Sequence, residues 1–246
     1  MSTKKLGISK DLQASAGIPI PAPRKLDKAT QQFPNGYDFP IAQLVKVYCD
    51  PKKVVKRNGE DTEEAVLGFV FATAGGNNTP KKQYTSIEFP IDSDDDNFDK
   101  KFEQLASRIK HIFCEVIGES KFTEEAMTGD TFEEFFTNVA AEFNKHKVTT
   151  GEGDAAKTVP VYTKNSVYIK ITYYKDRLQT PLYPNFVQKA YNGTQPIACE
   201  LIINPTYDKI EAQAKVVAGG NAAYGGGTNN TFGGGAAGFG DFPDVP

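Results

Sequence analysis

The chain has 246 residues, of which 39% are hydrophobic and 11% aromatic, enough for one domain of about 150–200 residues with appendages. No apolar run approaches the roughly 20 residues that cross a bilayer, and the start "MSTKKLGISKDLQ" lacks an apolar stretch of the secretory kind; no membrane partner and a cytoplasmic location are expected. The net charge is −3 but unevenly spread. Residues 1–91 hold 13 basic against 9 acidic residues, 92–154 hold 7 against 16, 155–215 hold 8 against 4, and the remainder only Asp241 and Asp244. A mildly basic body split by an acidic segment is compatible with a polyanion site, which the net charge alone disfavours.

Residues 1–36, with "GIPIPAPRK" and "FPNG", read as an extended proline-rich N-terminal arm, and 37–216 as the folded domain. "FPIAQLVKVYCD" and "EEAVLGFVFATA" are rich in strand formers. Between them, "PKKVVKRNGEDT" contains Asn58-Gly59, a strong hairpin signal, so two long antiparallel strands with a basic tip are expected. "KKQYTSIEFPI" supplies a third strand. The acidic segment at about 92–154 is a helical insertion: Phe98, Phe102, Leu105, Ile109, Ile112, Phe113 and Val116 form one stripe, which Gly118 terminates. Thr131 and Glu134 make a capping box that opens a second helix, carrying Phe132, Phe135, Phe136, Val139 and Phe143. Both stripes need cover, from each other or from the sheet. Strands resume with "VYTKNSVYIKITYYK" and "IACELIINPTYDKIEAQAKV". This order gives a β-rich α+β class, an OB-like antiparallel barrel with inserted helices, rather than a βαβ alternation. Residues 217–246 hold ten glycines and no lysine or arginine, the composition of a flexible, disordered tail.

In "SVYIKITYYK" strict alternation places Val167, Ile169, Ile171 and Tyr173 on one face and Tyr168, Lys170, Thr172 and Tyr174 on the other. "LVKVYCD" repeats the pattern, with Val45, Val47 and Cys49 opposite Lys46 and Tyr48. "KKQYTSIEF" repeats it again, with Thr85, Ile87 and Phe89 opposite Lys82 and Tyr84. Tyrosine rings stack on unpaired bases while lysines follow phosphates. The hairpin tip adds Lys52, Lys53, Lys56 and Arg57, and the segment after the tyrosine strand adds Lys175 and Arg177. Tyrosine and lysine also decorate the wet face of any half-exposed sheet; three strands with the same pairing turn the reading toward a binding face.

With this β-rich body, the "YIKITYY…PLYPNFVQKA" stretch, the glycine-rich linker and the acidic-aromatic tip "DFPDVP", the chain resembles the single-stranded DNA-binding proteins of bacterial viruses. The resemblance implies an OB-like fold that coats exposed strands during replication or recombination. It also implies a tip, here Asp241, Phe242, Asp244 and Val245, that recruits replication or recombination enzymes and competes with DNA for the basic groove. The location would then be the bacterial host cytoplasm. The tip holds only two aspartates and ends on proline, where the family ends on more acids and an aromatic. A virion structural or assembly protein with a self-associating tail is the alternative, and a homo-oligomer fits either.

Other chemistry is thin. "DSDDDNFDKKFE" sets Asp92, Asp94, Asp96 and Glu103 at calcium-loop positions, but Asn97 stands where glycine is wanted; acids opening a helix explain the run better. His111 and His146 are the only histidines, and Cys49, Cys114 and Cys199 are odd in number and far apart, so buried thiols in a reducing cytoplasm and no zinc site are expected. The glycine-rich stretches lack the lysine of a phosphate loop. No catalytic residue, cofactor or metal is assigned, and the expectation is a non-enzymatic binding protein.

Overall fold

The computed structural model describes residues 5–12, 37–57, 59–73, 82–89, 98–175, 177–180, 186–203, 208 and 210, with backbone alone for Arg57, 82–88 and 177–178. The strands of the first half are β1 (Leu6–Gly7), β2 (Tyr37–Asp38), β3 (Ile41–Arg57), β4 (Glu60–Thr73) and β5 (Lys82–Phe89). Helix α1 (Phe98–Val116), strand β6 (Thr128–Gly129) and helix α2 (Phe132–Lys145) follow. The second half holds β7 (Lys147–Thr150), β8 (Lys157–Pro160), β9 (Ser166–Ile169), β10 (Ile171–Tyr174), β11 (Arg177–Gln179), β12 (Val187–Lys189), β13 (Tyr191–Asn192) and β14 (Gln195–Pro196).

The main sheet is antiparallel, in the order β12-β9-β3-β4-β5, and a second sheet has the order β11-β10-β2. Among the described residues the edge strands β5 and β12 do not pair with each other, so the sheet is open. The register of β3 and β4 runs to Arg57↔Glu60, which leaves a two-residue turn with Gly59 at φ 92°, as the Asn-Gly pair predicts.

One face of the main sheet is covered by the two helices. Val47, Leu67, Phe69 and Phe71 meet Ile109, Phe113, Phe136, Val139 and Phe143 in a single core. Ring centroids of Phe69 and Phe143 lie 5.3 Å apart, and those of Phe113 and Phe143 5.1 Å apart, edge to face. The acidic insertion is thus the second layer of the domain. Both helix signals hold: Glu134 N–H donates to the Thr131 side chain at 3.1 Å, and Gly118, at φ 120°, follows the last turn of α1.

Within the segment read as an N-terminal arm, residues 5–12 form a docked strap. Leu6 and Ile8 are buried, β1 pairs with β6, and Lys110 Nζ donates to the carbonyls of Ser9, Lys10 and Leu12. Residues 13–36, and the tail after residue 210, lie outside the described residues.

Candidate nucleic-acid interface

The outer face of β3 presents the clearest site. A register irregularity between Leu44 and Lys46 makes Val45 an extra residue, 39% exposed, where strict alternation expected a core position. Beyond it Val47 points into the core, and Lys46 and Tyr48 point outward as expected. Lys46 Nζ stands 4.9 Å from the centroid of the Tyr48 ring. Tyr48 pairs with Gly68 of β4, and the ring lies over that glycine. A Cβ at Gly68 would fall 2.3 Å from Tyr48 Cζ and 2.4 Å from Cε1. The missing side chain is what seats the ring. Sequence reasoning passed over Gly68; its signal was a lone glycine within an apolar strand, which often marks a close approach.

The tyrosine strand breaks at Lys170, with β9 in the main sheet and β10 in the second, yet Val167, Ile169, Ile171 and Tyr173 all pack in the helix-covered core as alternation predicts. The opposite face is not open as expected. Tyr168 is buried, and its hydroxyl donates to the Ile197 carbonyl at 2.9 Å within a small core of Phe39, Ala190 and Leu201. Lys170 is wholly buried, its Nζ 2.8 Å from Asp208 Oδ2. Burial pushes its ammonium below the ordinary lysine range, and Asp208 opposes that shift. Thr172 is buried as well. Ile197, Leu201 and Asp208 lie against the face that the sequence assigned to a ligand, so Tyr168 and Lys170 are corrected from binding residues to core residues.

Tyr174 is half-buried, and exposed Lys175 holds its Nζ 5.5 Å from that ring, at the turn between β10 and β11. Lys175 adopts φ 49° there. Tyr174 pairs in register with Arg177, whose side chain lies outside the described residues.

The hairpin tip is not basic, which corrects the expectation for Lys52, Lys53, Lys56 and Arg57. The turn folds "EDTEE" back onto "KKVVKR", setting Lys53 opposite Glu64, Lys56 opposite Asp61 and Arg57 opposite Glu60. The Lys52 N–H bonds to Asp50 Oδ1 at 3.2 Å. Residues 50–64 carry four cations against five acids, so the arm offers a polyanion no net attraction.

On β5 a register shift at Thr85 brings Tyr84 opposite Phe71 and Lys82 opposite Thr73. Phe71 and Thr73 are core-side positions, so the backbone pairing does not place Lys82 and Tyr84 in the row of Lys46 and Tyr48. Their side chains, that of Arg57, the acids Asp92, Asp94 and Asp96, and the tip residues Asp241, Phe242, Asp244 and Val245 lie outside the described residues.

Several other titratable groups are tied into the scaffold. His111 Nε2–H donates to the Val187 carbonyl at 2.7 Å, and Glu115, one turn along α1, accepts from Lys189 N–H. Together they pin edge strand β12 to α1. Burial pushes the His111 pKa below the ordinary value, against the pull of Glu115. Glu142 accepts from Thr123 and Lys145 and meets His146 Nε2 at 3.1 Å. Cys49, Cys114 and Cys199 are half-buried and in no disulfide, and burial pushes the Cys114 thiol up to about 11. Among the described residues no group of acidic, histidine or cysteine side chains gathers at metal-ligand distance, and no helix is long and apolar enough to cross a membrane. No family model matches the chain, and no match exists among curated proteins or solved structures.

Proposed function

We propose that the chain binds single-stranded DNA without catalysing a reaction on it, along the outer face of β3. The observation that carries this reading is the Lys46–Tyr48 pair seated over Gly68: a half-buried ring on the outer side of β3 with a cation 4.9 Å from its centre. A base unstacked from its neighbours covers such a ring, and the ammonium follows the adjoining phosphate. A duplex keeps its base faces to itself, so the platform selects single strands. Tyr174 with Lys175 repeats the chemistry on the second sheet.

In this proposal the body is an OB-like module, supported by its five antiparallel strands and bulged long hairpin. It coats exposed strands in replication or recombination, with the tip at 241–246 recruiting partner enzymes. The test is a titration with fluorescent oligo-dT, the same sequence as duplex and a matched RNA, for wild type and Tyr48→Ala. Selective dT binding that falls steeply with salt, and weakens by about 1–3 kcal/mol in Tyr48→Ala, supports the proposal. Equal binding by the variant moves the site elsewhere, and no binding at about 50 mM salt ends the reading.

A further inference from the structure

We propose that the outer part of the β3–β4 hairpin is a lateral assembly device, in which the β3 edge of one copy of this chain docks along the β4 edge of another. Three observations on the arm carry this. First, both of its edges are open among the described residues. Strand β9 pairs with β3 only over Ile41–Gln43, and β5 pairs with β4 only from Leu67 onward. Residues 53–57 and 60–64 therefore pair only with each other, and their outward backbone groups suit the addition of a strand. Second, most of the arm is open to solvent: Lys52, Lys56, Glu60, Asp61 and Glu63 are exposed, and Val54 is 57% exposed. Third, the two edges have opposite charge. Strand β3 carries Lys52, Lys53 and Lys56, and β4 carries Glu60, Asp61, Glu63 and Glu64.

Edge lysines usually deter pairing because copies meet like with like. Here that rule selects one geometry. Two β3 edges repel, and so do two β4 edges, so a closed two-fold contact is disfavoured. A β3 edge against a β4 edge extends the rows already present in each arm, where Lys53 faces Glu64 and Lys56 faces Asp61. Val54 and Val55 would gain cover from the neighbouring ribbon. Pro51 and the irregularity between Asp50 and Lys53 mark the root of the arm, leaving a regular ladder of about 13 Å from Lys53 to Arg57. An edge-to-opposite-edge contact does not close on itself and makes an open row of copies. The contact is small, so it forms at high chain concentration or where copies are already aligned.

Sedimentation velocity on the full chain, without nucleic acid, tests this at about 0.5 mM protein in about 20 mM and about 500 mM salt. Wild type should sediment as a concentration-dependent series at low salt and as monomer at high salt. Lys52→Gln/Lys53→Gln/Lys56→Gln should remain monomeric at both, with an unchanged circular dichroism spectrum. An inverted arm, with Lys52, Lys53, Lys56 and Arg57 made glutamate and Glu60, Asp61, Glu63 and Glu64 made lysine, keeps the pairs within each arm and should assemble like wild type. A monomeric wild type at low salt, a lysine variant that assembles equally, or a monomeric inverted arm would each overturn the proposal.

Discussion

Lys46 and Lys170 each stand two residues from a tyrosine on a β-strand, and they end in opposite environments. Lys46 lies in solvent over the Tyr48 ring, while Lys170 is wholly buried against Asp208 and Tyr168 is sealed beneath Ile197 and Leu201. The strands differ in what returns over them. Lys46 stays exposed on β3, whereas Ile197 and Leu201 pack over Tyr168 and Asp208 brings a carboxylate to Lys170. A lysine–tyrosine alternation thus marks a face that is polar, and the rest of the chain decides whether that face meets a ligand or a counter-charge.

The sharpest break of the comparison is Lys170→Ala, which strands Asp208 in a site with 0% exposure. Urea denaturation should show a loss of about 3–5 kcal/mol, largely recovered in Lys170→Met/Asp208→Leu, which replaces the pair by apolar groups. Lys46→Ala should leave the denaturation midpoint nearly unchanged. If the two lysines cost the same, the contrast between them fails.

Next in size is the seat of the ring. Gly68→Ala should displace Tyr48 and weaken oligo-dT binding by about as much as Tyr48→Ala, roughly 1–3 kcal/mol. The double variant should lose no more than Tyr48→Ala alone, because the alanine acts only through the ring. Additive losses would mean that Gly68 contributes by another route. Tyr168→Phe sharpens the other side: about 1 kcal/mol of stability lost with its hydrogen bond to Ile197, and oligo-dT affinity unchanged. A selective fall in affinity would restore Tyr168 to the site.

The smallest expected effect is a pH dependence. Burial lowers the folded pKa of His111 below its unfolded value near 6.5, so the unfolded chain takes up the proton first as pH falls. The resulting stability is fully present above about pH 6.5 and is lost below it, down to the lowered folded value. His111→Gln keeps a donor for the Val187 carbonyl and should flatten the fall in denaturation midpoint between about pH 7 and pH 5. An unaltered slope would assign that fall to other groups.

Local signals in the chain carried much of this fold. Asn58-Gly59 announced a two-residue hairpin, Thr131 and Glu134 a helix start, and the phenylalanine stripes two helices with one buried face each. These depend on interactions between residues a few positions apart, which a sequence displays directly. Lys46 and Tyr48 were legible for the same reason, by alternation along one strand. The sequence by itself could not tell that Thr85 shifts the register of β5, that the acids after Gly59 fold back onto the lysines before it, or that Asp208 reaches Lys170 across 38 positions. Each of those outcomes is a pairing between segments, fixed by which buried surfaces and charges compensate one another once the chain has closed up. Tertiary structure decided them because the free energy of burying a charge belongs to its partner as much as to itself.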